Sequence, residues 1–249
     1  MAPAVDAVTK EGLGATDRRD AWWLAPVSVA GGLGILGLYL LWAAIQNAHF
    51  RFGNYLSPVY SPEIHPAWWP LSPAFLILIP PLLFRTTCYY YRKAYYRAFF
   101  LDPAGCAVGE FRRKYDGETK FPFLLQNMHR YAFYLAFLWL FFLWYDVFEA
   151  FQFEHRFGVG LGSLVILAST GTLTMYTLSC HSWRHIVGGK LDCFSCSASA
   201  KVRHGIWQRV THWNEHHQLF AWISLFSVTA ADVYVRLLSM GVIQDVRFL

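Results

Sequence analysis

The chain has 249 residues, of which 55% are hydrophobic, 18% aromatic and only 15% charged, against about 25% charged in an average soluble domain. Long uncharged blocks exclude an ordinary soluble domain. The formal net charge of +5 comes with no nucleic-acid-binding motif, so it bears on membrane topology and lipid headgroups, and no nucleic-acid partner is expected. The class read from this pattern is all-α, an integral membrane bundle of five helices. A short tail covers 1–20 and one transmembrane domain covers 21–249.

The first expected span runs from Ala21 to Gln46. No charged residue occurs from Ala21 to Phe50, about thirty positions, well past the roughly 20 that cross a bilayer. It lacks the small-residue cleavage site of a signal peptide, so it is expected to be retained. The second span runs from Trp69 to Tyr91, kinked by Pro70, Pro73, Pro80 and Pro81. The third covers Phe123 to Phe148, the fourth Val159 to Val187, and the fifth His216 to Leu238. No internal repeat is apparent, which argues against a transporter.

Two loops, 92–122 and 184–213, carry the basic residues. The first holds Arg92, Lys93, Arg97, Arg112, Arg113, Lys114 and Lys120, and the second Arg184, Lys190, Lys201, Arg203 and Arg209. The opposite loops hold only Arg51 and Arg156. The positive-inside rule then puts the N-terminus and both long loops in the cytoplasm. The aromatic and basic run YYYRKAYYRAFF (89–100) reads equally as a docking face or a headgroup belt.

With this topology one end of the bundle gathers the reactive side chains. Four of five cysteines and six of ten histidines lie there: Cys88, Cys180, Cys193, Cys196, His129, His181, His185, His212, His216 and His217. Cys106 lies in the other cytoplasmic loop. In the fourth span Thr170, Thr174, Thr177, His181 and His185 follow a helical spacing, a polar stripe that lipid would not satisfy. Structural disulfides are not expected in a reducing compartment.

Three centres fit these residue types. Haem b needs two histidines on two helices, such as His129 with His181 or His181 with His216, yet no span carries a histidine at its middle. Structural zinc would use Cys193-Phe194-Ser195-Cys196, with His204 and His212 downstream, eight apart rather than at the tight spacing of a zinc finger. A Rieske-type [2Fe–2S] cluster takes two cysteines and two histidines, and this reading is preferred because it employs Cys88 and Cys180. Its candidate ligands are Cys88, Cys180, His129, His181, His185 and His216.

TTCYYYRKAYYRAFF (86–100) and CHSWRHIVGGKLDCFSC (180–196), with five spans and basic loops, resemble the membrane-anchor subunit of actinobacterial succinate dehydrogenase, respiratory complex II. The resemblance covers nearly the whole chain after Ala21. It implies a bacterial plasma-membrane protein that docks an iron–sulfur subunit and a flavoprotein and delivers electrons from succinate to quinone. Anchors of this kind hold zero, one or two b-type haems. This chain departs from the di-haem pattern because it lacks mid-membrane histidine pairs. Quinone-binding candidates are Arg130, Tyr131, Trp207 and Asp232, with Asp146, Trp144 and His155 on the outer side. The alternatives are a haem b anchor of another dehydrogenase and a non-redox scaffold holding zinc.

Overall fold

The computed structural model describes residues 12–110, 119–121, 123–154 and 156–249. The expectations placed on Arg112, Arg113, Lys114 and His155 lie outside the described residues. In chain order the helices are α1 (Leu24–Gln46), α2 (Ala74–Ile77), α3 (Ile79–Thr87), α4 (Tyr89–Ala98), α5 (His129–Ala150), α6 (Leu161–Leu178), α7 (His181–Gly188), α8 (Ala198–Glu215) and α9 (His217–Ser239). Two antiparallel hairpins are inserted between them: β1 (Arg51–Phe52) with β2 (Tyr55–Leu56), and β3 (Gln152–Phe153) with β4 (Arg156–Phe157).

Four of these segments are long and apolar enough to cross a bilayer: α1, α5 with its preceding turn from Leu124, α6 and α9. The second expected span is not a fifth helix of that kind. Its apolar helical part is Ala74–Thr87, roughly 21 Å long at 1.5 Å per residue, short of a hydrocarbon core of about 30 Å. Proline explains the shortening. Pro80 and Pro81 sit in the first turn of α3, where their missing N–H groups cost least. Pro70 and Pro73 keep the preceding stretch out of a regular helix.

The fourth expected span also ends early. Leu178 closes α6, Cys180 is extended (φ −66°, ψ 143°), and its sulfur accepts the Ser182 N–H at 3.4 Å as the N-cap of α7. Much of the expected 184–213 loop is helical. Ser197 caps α8 by accepting the Ala200 N–H at 3.1 Å. Arg203 then ties α8 to α7 by donating to the carbonyls of Val187 (2.9 Å) and Gly189 (2.7 Å).

The chain forms two compact units, residues 1–35 with 86–127 and residues 36–85 with 128–249. In the first, the Gly14 N–H donates to the Gly109 carbonyl (3.0 Å), the Gly109 N–H to the Ala15 carbonyl (2.8 Å), and Arg18 to the Cys106 carbonyl (2.9 Å). Arg92 lies over the rings of Tyr89 and Tyr96.

The second unit is built on α5, α6 and α9, with α6 packed against both of the others. Its outer faces carry large apolar residues, such as Leu38, Phe141 and Phe148, each more than 60% exposed. Among the apolar residues of its interior lie small and polar ones: Ser163, Ser169, Thr170, Ser224 and Ala231 are at 1% exposure or less. Such small and hydroxyl-bearing contacts suit lipid, where close backbone approach and interhelical hydrogen bonds hold helices together. Thr172 and Ser227 make such a bond, 2.5 Å between α6 and α9.

At the end of this unit near Ser239, Asp232 is fully buried and accepts from Arg236 (2.7 Å), Tyr39 (2.7 Å) and Ser57. Arg236 also donates to the carbonyls of Ala43 and Ala48. Close by, Asp245 accepts from Tyr55, Tyr234 and the Gly162 N–H. Burial and that carboxylate push the Tyr55 hydroxyl up to about 12.

Candidate functional site

The opposite end of the second unit holds a thiol among histidines and aromatic rings. The break after α6 turns Cys180 inward, where it is 1% exposed. His129, the first residue of α5, brings its Nε2 to 3.1 Å from the Cys180 sulfur. One residue earlier, Ser179 meets His217, with Oγ and Nδ1 2.7 Å apart. His217 opens α9, is 1% exposed, and lies within electrostatic reach of His129 and His181. Three helix ends, those of α5, α6 and α9, therefore converge on one buried thiol, the buried His217 imidazole and the half-buried His129 imidazole. Asn214 secures the turn by donating to the Ser179 carbonyl at 2.8 Å.

Aromatic rings wall this cluster. Phe84 on α3 stacks on His129 (centroids 5.0 Å apart) and touches Tyr176 (5.1 Å), and Tyr176 stacks on His217 (4.8 Å). Arg85 lies over the Tyr176 ring at 4.7 Å and donates to the Ala221 carbonyl and to Ser224 Oγ. Beyond this wall is an apolar cavity of about 120 Å³, whose lining includes Pro58, Leu82, Phe84, Arg85, Trp139 and Tyr176. Its lining is of the kind found at small-molecule sites, apolar walls with a few fixed polar groups, in a space smaller than the roughly 300 Å³ at which such sites usually begin.

Residues 24–241 match the family model described as actinobacterial succinate dehydrogenase subunit SdhC. The chain belongs to that SdhC family. A chain of the Mycobacterium smegmatis Sdh1 complex in the apo form is similar over 94% of both chains, with 40% sequence identity and a TM-score of 0.83. Comparison with curated proteins finds no match. As an SdhC, the chain is a subunit of a succinate dehydrogenase and a multi-pass protein of the bacterial cell membrane.

The remaining predicted residues are distributed unevenly in this SdhC. His181 and His185 sit one turn apart on α7 with their Nε2 atoms 2.9 Å apart, both on the exposed side. Burial and the neighbouring positive charge lower the His181 pKa, the larger cause being burial. His216 is exposed beside His212, and its neighbour His217 is the one buried in the cluster. The sequence gives one signal for this: His217, not His216, shares a helical face with the buried Ala221 and Ser224. Cys88 belongs to the other unit, buried at the junction of α3 and α4.

None of the four expected quinone residues lines the cavity. Arg130 and Tyr131 are exposed. Trp207 packs α8 on α7, stacked under Arg184 at 4.7 Å. Asp232 is held in the ion pair at the far end of α9. Cys193 and Cys196, expected as thiols, are joined as a disulfide with Cα atoms 5.8 Å apart, a separation inside the usual range for that bond.

Proposed function

We propose that this chain is the quinone-reducing membrane anchor of its succinate dehydrogenase. It docks an iron–sulfur subunit and a flavoprotein on its cytoplasmic, basic side and takes electrons through a Cys/His redox centre in the membrane. In this reading the N-terminus is cytoplasmic, and the short Ala74–Thr87 segment completes five crossings. The observation that carries the proposal is the part-buried contact of His129 Nε2 with Cys180 Sγ at 3.1 Å, beside the buried imidazole of His217.

The site supplies one thiol and two imidazoles of the two-thiol, two-imidazole set that a mixed-ligand iron–sulfur cluster takes, and Cys88 is the candidate for the second thiol. Soft thiolate and imidazole meet at a largely buried site, and the helix ends fix their directions. Cys180, His129 and His217 are the ligands the geometry favours, with His181 at the rim. When bound, a Rieske-type [2Fe–2S] cluster supplies one-electron chemistry at a potential above that of an all-Cys cluster. Ser179 holds the His217 ring through Nδ1, which fixes the tautomer and leaves Nε2 for a ligand bond. Phe84 and Tyr176 separate the cluster from the cavity by single ring layers, so quinone in the cavity lies at short range. Arg85 and Tyr176 are the polar groups that orient its head there.

The test is low-temperature electron paramagnetic resonance of the purified complex, poised with a mild reductant. The expected result is a rhombic signal of low average g that disappears in Cys180→Ser. Cys88, the second thiol expected from the sequence, is tested by the same spectrum in Cys88→Ser. Absence of that signal together with b-type haem bands would overturn the cluster and assign the histidines to haem.

A further inference from the structure

The last turn of α8 presents a second group of metal-binding side chains, separate from the buried cluster. His212, Glu215 and His216 each offer a ligand atom, and those atoms lie within 4.8 Å of one another. All three are exposed, His212 at 72% and Glu215 at 65%. The spacing explains the grouping, since residues three and four apart stack on one helical face.

Two details go beyond proximity. His216 Nδ1 lies 3.2 Å from the His212 carbonyl. Metal-bound histidines commonly donate their second ring N–H to a carbonyl, which aims the other nitrogen at the ion. His212 Nδ1 and Glu215 Oε2 are 3.6 Å apart. That is longer than a charge-assisted hydrogen bond of about 2.7–2.9 Å. It is close to the roughly 3.4 Å that separates two ligands on one tetrahedral zinc ion, given bonds of about 2.0–2.2 Å.

We propose that His212, Glu215 and His216 form a surface site for a divalent first-row transition ion, with zinc the best fit. Two imidazoles and a carboxylate are too soft a set for magnesium or calcium and suit zinc or copper. Three protein ligands leave the fourth position to water. The next residue is His217, so the bound ion staples the α8–α9 joint at the point where α9 delivers its buried imidazole. Occupancy therefore reaches the redox cluster through the backbone, without a shared ligand.

Zinc binding to the purified, detergent-solubilised complex tests this by equilibrium dialysis with metal analysis. One zinc equivalent is expected in the wild type. His212→Gln and Glu215→Gln should each weaken it by at least about tenfold. His212→Cys, which restores a donor, should recover it, and a merely structural role for His212 would not show that rescue. Unchanged zinc affinity in both Gln variants, or no zinc bound to the wild type, overturns the site. The iron–sulfur signal of the same samples is read separately, so this result does not depend on the redox proposal.

Discussion

Cys180 and Asp232 show how the same kind of sequence clue leads to different physical roles. Each is a reactive residue inside an apolar run. Cys180 caps a helix and faces an imidazole at 3.1 Å, whereas Asp232 already has Arg236, Tyr39 and Ser57. A buried acid in a membrane span is a candidate functional group by default, and this one is neutralised by an arginine one turn away. Asp232→Asn leaves Arg236 uncompensated and should cost about 3–5 kcal/mol. The expected readout is a lower unfolding midpoint of the solubilised complex with quinone turnover per assembled complex unchanged. Lost turnover at full stability would instead assign Asp232 a proton or quinone role.

At the scale of elements, the decisive feature is the break between α6 and α7. A continuous helix to Val187 would keep Thr170, Thr174, Thr177, His181 and His185 on one stripe. The break leaves Thr170 and Thr177 inside, with Thr174 and Thr177 bonded back to the carbonyls four residues earlier. It sends α7 sideways onto α8, carrying His181 and His185 to the surface. Gly188 permits that packing. A Cβ there would lie 2.3 Å from Trp207 Cδ1, so Gly188→Ala should destabilise the α7–α8 pair by about 1–3 kcal/mol. Trp207→Leu in the same chain should relieve it. Thermal unfolding of the two variants side by side checks both, and an unaffected G188A would mean that the helices separate without cost.

For the whole molecule, the arrangement gathers Cys180, His129 and His217 at one end of the second unit, with an apolar cavity behind Phe84 and Tyr176. If the chain hands electrons to quinone there, removing the imidazoles should uncouple the two halves of the reaction. The double variant His129→Ala, His181→Ala should lose at least about tenfold in quinone reduction. Succinate oxidation with a soluble artificial acceptor should continue, because that chemistry resides in the docked subunits. Quinone reduction that survived both changes would remove the redox site from this end of the chain.

The sequence alone determined the membrane class and the positions of α1, α5, α6 and α9 to within a few residues at most ends. These follow from local quantities: the length of uncharged runs, proline positions and charge in the loops. Hydropathy could not show that proline cuts the second span to Ala74–Thr87, or that α6 stops at Leu178, because a helix break inside an apolar stretch leaves its composition unchanged. The burial of His217 rather than His216, the capture of Asp232 by Arg236, and the cavity behind Phe84 and Tyr176 were decided by tertiary structure. Each depends on which face of a helix meets its neighbours, and that is fixed only when α3, α5, α6 and α9 pack together.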